Sequence, residues 1–465
     1  MNPVQLGRSI VLLAAALVLA AVAVPFLRAQ DLSFYEVGAR AASLGGSFTA
    51  RADDITAIYY NPAGLAFLEG VRFKTNLTFG SRKIRATRSD TDLTFPTGQT
   101  EFRGDHFLAW RPVKRIGLGI GFFSPFNFDT RWPRTWSGEQ SSIAARLNAE
   151  TFRAAVAVEP LKGLAFGAAL DLVSLHADWE HKIFFDLESY PLTVPARVLS
   201  IHGTRGHGTG WTAGVLWKTI PWLRVGARFT QSVKIGLLGV NDFVFDSQNM
   251  YDVLPAPDRP YRLLTDFLDM FYAEQTVTAR VTVPREIACG VALAPFKKLS
   301  FSLDLTWDRW SELGPWQFTS VNEGGDLSPE FTQEYREFYG VVPDYGVQGF
   351  DLGLVDSLSV RAGLEYKLGR WFAFRAGFTR MTSAVDAAAR TPLYPDPGFT
   401  IYSFGAGYEG PLFAIWDAEK AVSYLSLDVF VRYAASGTVS TPLPEFDLVY
   451  HADRWTAGVG VGLNF

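Results

Sequence analysis

Apolar and polar positions alternate along this chain in one stretch after another. Leu425, Leu427, Val429, Val431 and Tyr433 alternate with Ser426, Asp428, Phe430 and Arg432. Phe301, Leu303, Leu305 and Trp307 alternate with Ser302, Asp304, Thr306 and Asp308. Leu358 to Lys367, Phe372 to Thr379, Leu223 to Thr230 and Thr276 to Val283 repeat the pattern. At the C-terminus, Trp455, Ala457, Val459, Val461, Leu463 and Phe465 share one parity, and Thr456, Gly458, Gly460, Gly462 and Asn464 the other. A period of two with one oily face predicts strands. A soluble sandwich would show the same alternation, so the polar face decides. Here it mixes Gly, Ser and Thr with Arg and Asp, which suits charges paired across an enclosed lumen. Aromatic residues stand near strand ends (Trp307, Tyr366, Trp371, Tyr433, Trp455), as an interfacial girdle requires. The reading is an all-β fold, a transmembrane antiparallel barrel.

Connections sharpen it. Tight links fall at 112–114, 159–162, 220–221, 295–297 and 368–370, and long links near 86–100, 125–142, 182–204, 239–273, 313–355, 384–397 and 435–450. Short turns at one end and long loops at the other mark an outer-membrane barrel. About fourteen segments are counted between 71 and 465, an even number that puts both termini on the periplasmic side.

Composition agrees. Charged residues are 19% and aromatic residues 14%, low and high respectively for a soluble domain. A net charge of −4 gives no reason to expect nucleic acid. The single cysteine, Cys289, excludes an internal disulfide and a thiolate metal site. Residues 1–29 read as an export signal: Arg8, then an unbroken apolar run from Ile10 to Val24, with cleavage sites after Ala23 or Ala29. A membrane anchor is the alternative, although that run falls short of the about 20 residues a span needs.

Residues 30–70 precede the first strand. They end in DDITAIYYNPAGLAFLEG, too interrupted for a strand and too broken by Pro62 and Gly64 for a long helix. Leu44, Phe48, Ile55, Ile58, Leu65 and Phe67 make this segment more apolar than a periplasmic tail. A plug folded into the lumen fits better.

These residues carry a family resemblance. GARAASLGGSFTARADDITAIYYNPAGLAFLEG resembles the N-terminal hatch of the outer-membrane long-chain fatty-acid and hydrocarbon transporters, the FadL/TodX-like family also called OmpP1, with Asn61, Pro62 and Ala63 as its motif. GFFSPFNFDTRWPRTWSGEQSSI, LDLTWDRWSEL and RTPLYPDPGFTIYSFGAGY resemble further family stretches in the family's order. The resemblance implies a monomeric fourteen-stranded barrel of a Gram-negative outer membrane, with the barrel at 71–465 and the hatch at 30–70. It implies hydrophobic small-molecule ligands, contact with outer-membrane lipid, and recognition of Phe465 by the barrel-assembly machinery. Ligand would be captured between extracellular loops and leave sideways at an inward kink in strand three. That kink is expected within Gly119, Gly121, Phe122, Phe123 and Ser124, since glycine weakens a strand.

Candidate binding chemistry follows. In YRLLTDFLDMFY, Leu263, Leu264, Phe267, Leu268 and Phe271 lie on one helical face and are read as a wall of an apolar groove. A small helix packing on its own loops is the competing reading. A carboxylate head group would need an arginine in the lumen. Parity offers Arg228, Arg280, Arg361 and Arg375, with Arg224 and Arg432 behind them, while Asp304, Asp308, Glu365 and Asp428 supply acidic partners that would occupy most of them. No catalytic set, metal site or cofactor motif is read: His181, His202 and His207 are scattered, and the glycines at 117, 119 and 121 lie in a strand with no following helix. The expected function is passive uptake of long-chain fatty acids. An aromatic-hydrocarbon channel and a non-transport interaction or secretion barrel are the alternatives.

Overall fold

In the computed structural model the described residues are 36–465 without 89–93, 135, 183–184, 187–192, 195–196, 246–274, 322–346, 395, 397, 412–423 and 442–447. The export signal and the groove residues Leu263, Leu264, Phe267, Leu268 and Phe271 therefore lie outside them.

The wall is a closed antiparallel barrel of fourteen strands. We label them β1 (Val71–Arg88), β2 (Thr94–Val113), β3 (Ile116–Phe123, then Asn127–Arg131), β4 (Ala144–Leu161), β5 (Leu164–Lys182), β6 (Arg197–Ile220) and β7 (Leu223–Thr230, then Val233–Phe245). There follow β8 (Gln275–Val283, then Glu286–Phe296), β9 (Leu299–Asp308), β10 (Ser357–Leu368), β11 (Phe372–Met381), β12 (Phe399–Pro411), β13 (Tyr424–Ser436) and β14 (Leu448–Asn464). The barrel closes by pairing β1 with β14, from Arg72 opposite Asn464 to Arg88 opposite Leu448. Phe465 completes the seam: its N–H donates to the Val71 carbonyl at 2.8 Å and its carbonyl accepts from Val71 at 3.0 Å. Closure leaves no exposed sheet edge there, which a lipid environment demands.

Near the short turns, the strands bear out the expected faces. Leu303, Leu305, Val360, Phe374, Val429 and Trp455 point outward and are exposed, while Asp304, Arg361, Glu365, Arg375, Asp428 and Arg432 point inward and are buried. An outward apolar band with an inward polar lining is the lipid-spanning arrangement.

Toward the long-loop end on β4 to β8 the polarity inverts. Leu147, Leu175, Ala177, Ile235, Leu237 and Val281 face inward and are buried. The outward positions there are Arg146, Asn148, Glu150, Ser174, His176 and Lys234. This part of the wall is clothed in polar groups outside and encloses an apolar compartment. Phe126, Trp179, Trp310, Trp316, Phe318 and Tyr394 join that cluster. The expectation for 276–283 is corrected accordingly: Val277, Ala279, Val281 and Val283 line the lumen and Arg280 is exposed on the outer face. Alternation specifies two faces but not which is inside. The chain changes phase at Pro284–Arg285, where β8 is interrupted and a proline removes a ladder donor.

Residues 36–70 fold within the end of the barrel that carries the short turns. Three short turns of helix, Ala39–Ser43, Ala57–Tyr60 and Pro62–Phe67, are buried almost throughout. Their partners come from the whole circumference: Asn76 and Asp105 on β1 and β2, Arg153 on β4, Val215 on β6, Arg228 on β7, Asp304 on β9, Glu365 on β10 and Thr379 on β11.

Candidate functional site

The N-terminal segment is seated on the wall through its asparagine turn. Asn61 is fully buried and caps the turn that follows: its Oδ1 accepts from the Ala63 N–H at 3.2 Å. Its Nδ2 donates to the carbonyls of Thr49 and Val215, both at 2.9 Å. One amide thus joins the turn, the rest of the segment and the wall. Pro62 occupies the first position of the turn, where its missing N–H costs nothing. The segment lies so close to the wall that side chains there are excluded. A Cβ at Gly167 would sit 2.3 Å from the Ala63 nitrogen, and one at Gly214 2.2 Å from Asn61 Oδ1.

A charge network locks the opposite side. Lys74 Nζ lies 3.1 Å from Asp54 and 2.8 Å from Asp428, and Arg375 bridges Asp428 at 2.6 Å and Glu365 at 2.7 Å. Arg40 and Arg51 of the segment reach the same Glu365 at 3.3 and 3.0 Å. Burial would raise the Asp54 carboxyl. Lys74 and Arg40 beside it outweigh that and hold it well below the usual carboxylate range. The segment is therefore clamped on this side by salt bridges to Glu365 and Lys74.

Above it lies a cavity of about 80 Å³. Tyr59 and Phe123 close its lower side, with ring centroids 5.0 Å apart. Its floor is charged. Arg153 grips Asp171 with two bonds of 2.6 and 2.9 Å and donates to the Tyr59 carbonyl at 3.1 Å. Arg228 donates to the same carbonyl at 2.6 Å and pairs with Glu286. Arg361 lies 3.5 Å from Glu36, and Asp308 stands at the cavity wall. Its roof is apolar: Phe126, Val173, Val233, Val283 and Trp310 open into the compartment described above. The Nε groups of Arg228 and Arg361 and the Trp310 indole N–H are buried here without hydrogen-bond partners among the described residues.

Beside this cavity the ladder between β2 and β3 is interrupted. β3 pairs with β2 only up to Phe122 opposite His106. After Ser124, Pro125 and Phe126 it resumes at Asn127 and pairs with β4 alone. Among the described residues, the stretch of β2 beyond His106 has no paired strand on that side.

The structure groups the sequence-derived residues as follows. Asn61, Pro62 and Ala63 form the seat. Arg228 and Arg361 meet at the cavity, with Phe123 at its edge. Gly119, Gly121 and Phe122 remain in regular register with β2 and β4, and the interruption starts at Ser124. What the two glycines provide is room, since Cβ atoms there would fall 2.7 Å from Ile58 at Gly119 and 2.8 Å from Phe107 at Gly121. Arg375 lies in the charge network below the segment, Arg224 donates to the Arg51 carbonyl at 3.0 Å, and Arg432 stands 3.8 Å from Glu36. Arg280 is outside the barrel. Of the aromatic residues in 313–355, Trp316 and Phe318 pack in the apolar cluster, and Phe331, Tyr335, Phe338 and Tyr339 lie outside the described residues.

Sequence reasoning missed Arg153 and Tyr59. Arg153 sits in an alanine-rich strand whose two faces look alike, so its inward parity was hidden. Its signal was the alternation of Thr151, Arg153, Ala155 and Ala157. Tyr59 has no periodic context at all.

Known proteins share this architecture. The family described as outer membrane protein transport protein (OMPP1/FadL/TodX) matches residues 21–465. Among solved structures, a FadL homologue of Pseudomonas aeruginosa superimposes with a TM-score of 0.73 at 14% identity, covering 95% of this chain and 100% of that one. The toluene transporter TbuX of Ralstonia pickettii gives 0.63 at 16% identity, covering 92% and 98%. The toluene transporter TodX of Pseudomonas putida gives 0.64 at 15%, covering 94% and 100%. No curated protein matches the chain. At such identities the structures establish the fold alone, and the family match carries the rest. A closed fourteen-stranded barrel, matched over nearly its whole length by a family of transporters of hydrophobic compounds, places this chain in a Gram-negative outer membrane: it belongs to the OMPP1/FadL/TodX outer-membrane transport protein family.

Proposed function

We propose that the protein takes up long-chain fatty acids. Ligand is captured between the extracellular loops, with the 261–272 stretch as one wall, and its tail enters the apolar compartment. Its carboxylate settles at Arg228 and Arg361 above Tyr59. It leaves sideways where the ladder beside β3 is interrupted. The observation that supports this is the junction itself: an apolar roof meets arginines whose Nε groups lack partners. An amphiphile satisfies both halves, and a carboxylate is the acceptor that arginine prefers. The cavity of about 80 Å³ is much smaller than a long-chain fatty acid, so the tail requires the side chains above it to part.

Monoaromatic hydrocarbon uptake is the second reading. Asp171, Glu286 and Glu36 already pair with the three arginines, and a neutral ring would leave that balance undisturbed. Two of the compared structures are toluene transporters.

Native mass spectrometry of the purified barrel, offered a long-chain fatty acid and toluene in competition, separates the readings. Fatty acid is expected to be retained. Arg228→Gln is expected to weaken that retention about tenfold, the scale of one charge-assisted bond, and to leave toluene retention unchanged. Retention of toluene alone would move the assignment to the hydrocarbon. Retention of neither by a folded barrel would favour an interaction protein on the same scaffold.

A further inference from the structure

A second cationic site lies at the opposite end of the molecule and has no part in the uptake route. Around the turns that join β7 to β6 and β9 to β8, a crevice of about 110 Å³ is lined by Arg51, Arg224, Lys297, Lys298 and Lys367. Two carboxylates, Asp53 and Glu365, face these five cations. Both are shared among several cations: Glu365 lies 3.0 Å from Arg51, 3.3 Å from Arg40 and 2.7 Å from Arg375, and Asp53 lies 3.1 Å from Arg40 and 3.7 Å from both Arg51 and Arg224. Lys297, Lys298 and Lys367 have no carboxylate within ion-pair distance among the described residues. Arg51 is buried, with 5% of its surface exposed; its Nη2 donates to Ser300 and Glu365, while among the described residues its Nη1 has no hydrogen-bond partner and its Nε meets only Asp53 at 3.7 Å. A buried guanidinium with an unused donor is costly unless an acceptor reaches it. The outward flank of the crevice is apolar: Trp222, Phe296 and Phe301 are exposed at 47%, 65% and 41%.

We propose that this crevice binds the headgroup of an anionic phospholipid from the leaflet on the short-turn side. The phosphate would take the unused donors of Arg51 and the three lysines, and the acyl chains would lie over Phe296 and Phe301. The height of the site supports a lipid over a soluble anion. Its cations stand at the strand ends and its aromatic rings at the border of the apolar band, where headgroups and chains meet. The site also has a consequence for the N-terminal segment. Arg51 and Asp53 belong to that segment, and Arg224 holds the Arg51 carbonyl at 3.0 Å. A lipid bound here adds a tie between the segment and the wall, and its loss loosens the segment from below.

Delipidated full-length barrel, offered equimolar phosphatidylglycerol and phosphatidylethanolamine, tests this by native mass spectrometry. Phosphatidylglycerol is expected to be retained in preference. Lys297→Glu with Lys298→Glu, a surface change in a turn, is expected to reduce that retention about tenfold or more, each basic residue near anionic lipid counting about fivefold. Lys114→Glu with Arg115→Glu, at a different turn of the same rim, is the control and is expected to leave it unchanged. Heat-modifiable mobility on gels verifies that each variant is folded. Arg51→Gln, which keeps a polar group of similar length, should also lower retention. Equal retention of the two lipids overturns the proposal. So does equal loss in the control pair, which would reduce the effect to general rim charge. Binding of inorganic phosphate with no lipid retained overturns it as well, since the site would then be a plain anion site.

Discussion

Deleting Pro125 is expected to restore the ladder beside β3 and to abolish uptake while leaving a folded barrel. The interruption of the ladder arises from one surplus residue. Phe123 lies opposite Thr151 and Asn127 opposite Asn148, so four steps along β3 are matched by three along β4. The bulge turns the strand away from β2, and Pro125 maintains it because proline has no N–H to give a ladder. Ser124 stabilises the bent state, with its hydroxyl donating to the Ala149 carbonyl at 2.6 Å. Removing Pro125 restores equal step counts. The strand then continues beyond Phe122 with the β2 register, placing the former Ser124 opposite Gly104. Unpaired strand edges are costly in a bilayer, so re-pairing is favoured once the phase permits it. The measurement is uptake of a labelled fatty acid by cells, with heat-modifiability reporting on the barrel. Wild-type uptake by the variant would exclude the side opening as the exit. A proline-to-alanine variant, which keeps the extra residue, should retain most activity and separates bulge from proline.

Asn61→Ala should release the N-terminal segment without dissolving the barrel. Three partners lose their bond at once: the Ala63 N–H and the carbonyls of Thr49 and Val215. Each buried group left unpaired costs about 1–3 kcal/mol, with no water at hand to replace the amide. The wall strands keep their ladders, since Asn61 contributes to none of them. Hydrogen exchange across 36–70 should therefore rise by one or more orders of magnitude while the strands stay protected. Uptake should change with it, because Tyr59, two residues away, forms the lower side of the cavity. Asn61→Asp is a useful companion: it keeps the cap to Ala63 and loses the two donations. If the barrel itself fails to assemble, Asn61 is a folding element and its role in uptake falls.

Much of the wall is legible in the amino-acid pattern alone. Strands whose inward face is Asp, Arg, Ser and Gly and whose outward face is Leu, Val and Phe announce both their period and their solvent, as in β9, β10 and β13. The tight links at Glu159–Lys162, Pro295–Lys297 and Leu368–Arg370 placed the short-turn end correctly, and the apolar character of Leu44, Phe48 and Ile58 pointed the N-terminal segment into the barrel. The long links were read too long. β1 runs to Arg88 and β7 to Phe245, because strands standing clear of the lipid lose their apolar outer face and resemble loops.

The chain's own pattern determined that this protein is a barrel, how many times it crosses, and which end carries the short turns. These are local properties, written in the parity of neighbouring residues and the chemistry of turns. Which way Val277–Val283 faces, whether Arg280 or Arg153 reaches the lumen, and where the β2–β3 ladder stops were decided only in three dimensions. Inversion of a strand leaves its alternation unchanged, and a single bulge residue shifts every side chain beyond it to the other face. The cavity shows the same limit: Tyr59, Arg153, Arg228, Trp310 and Arg361 come from the N-terminal segment, three strands of the wall and the turn after β9, and only closure of the barrel brings them to one place.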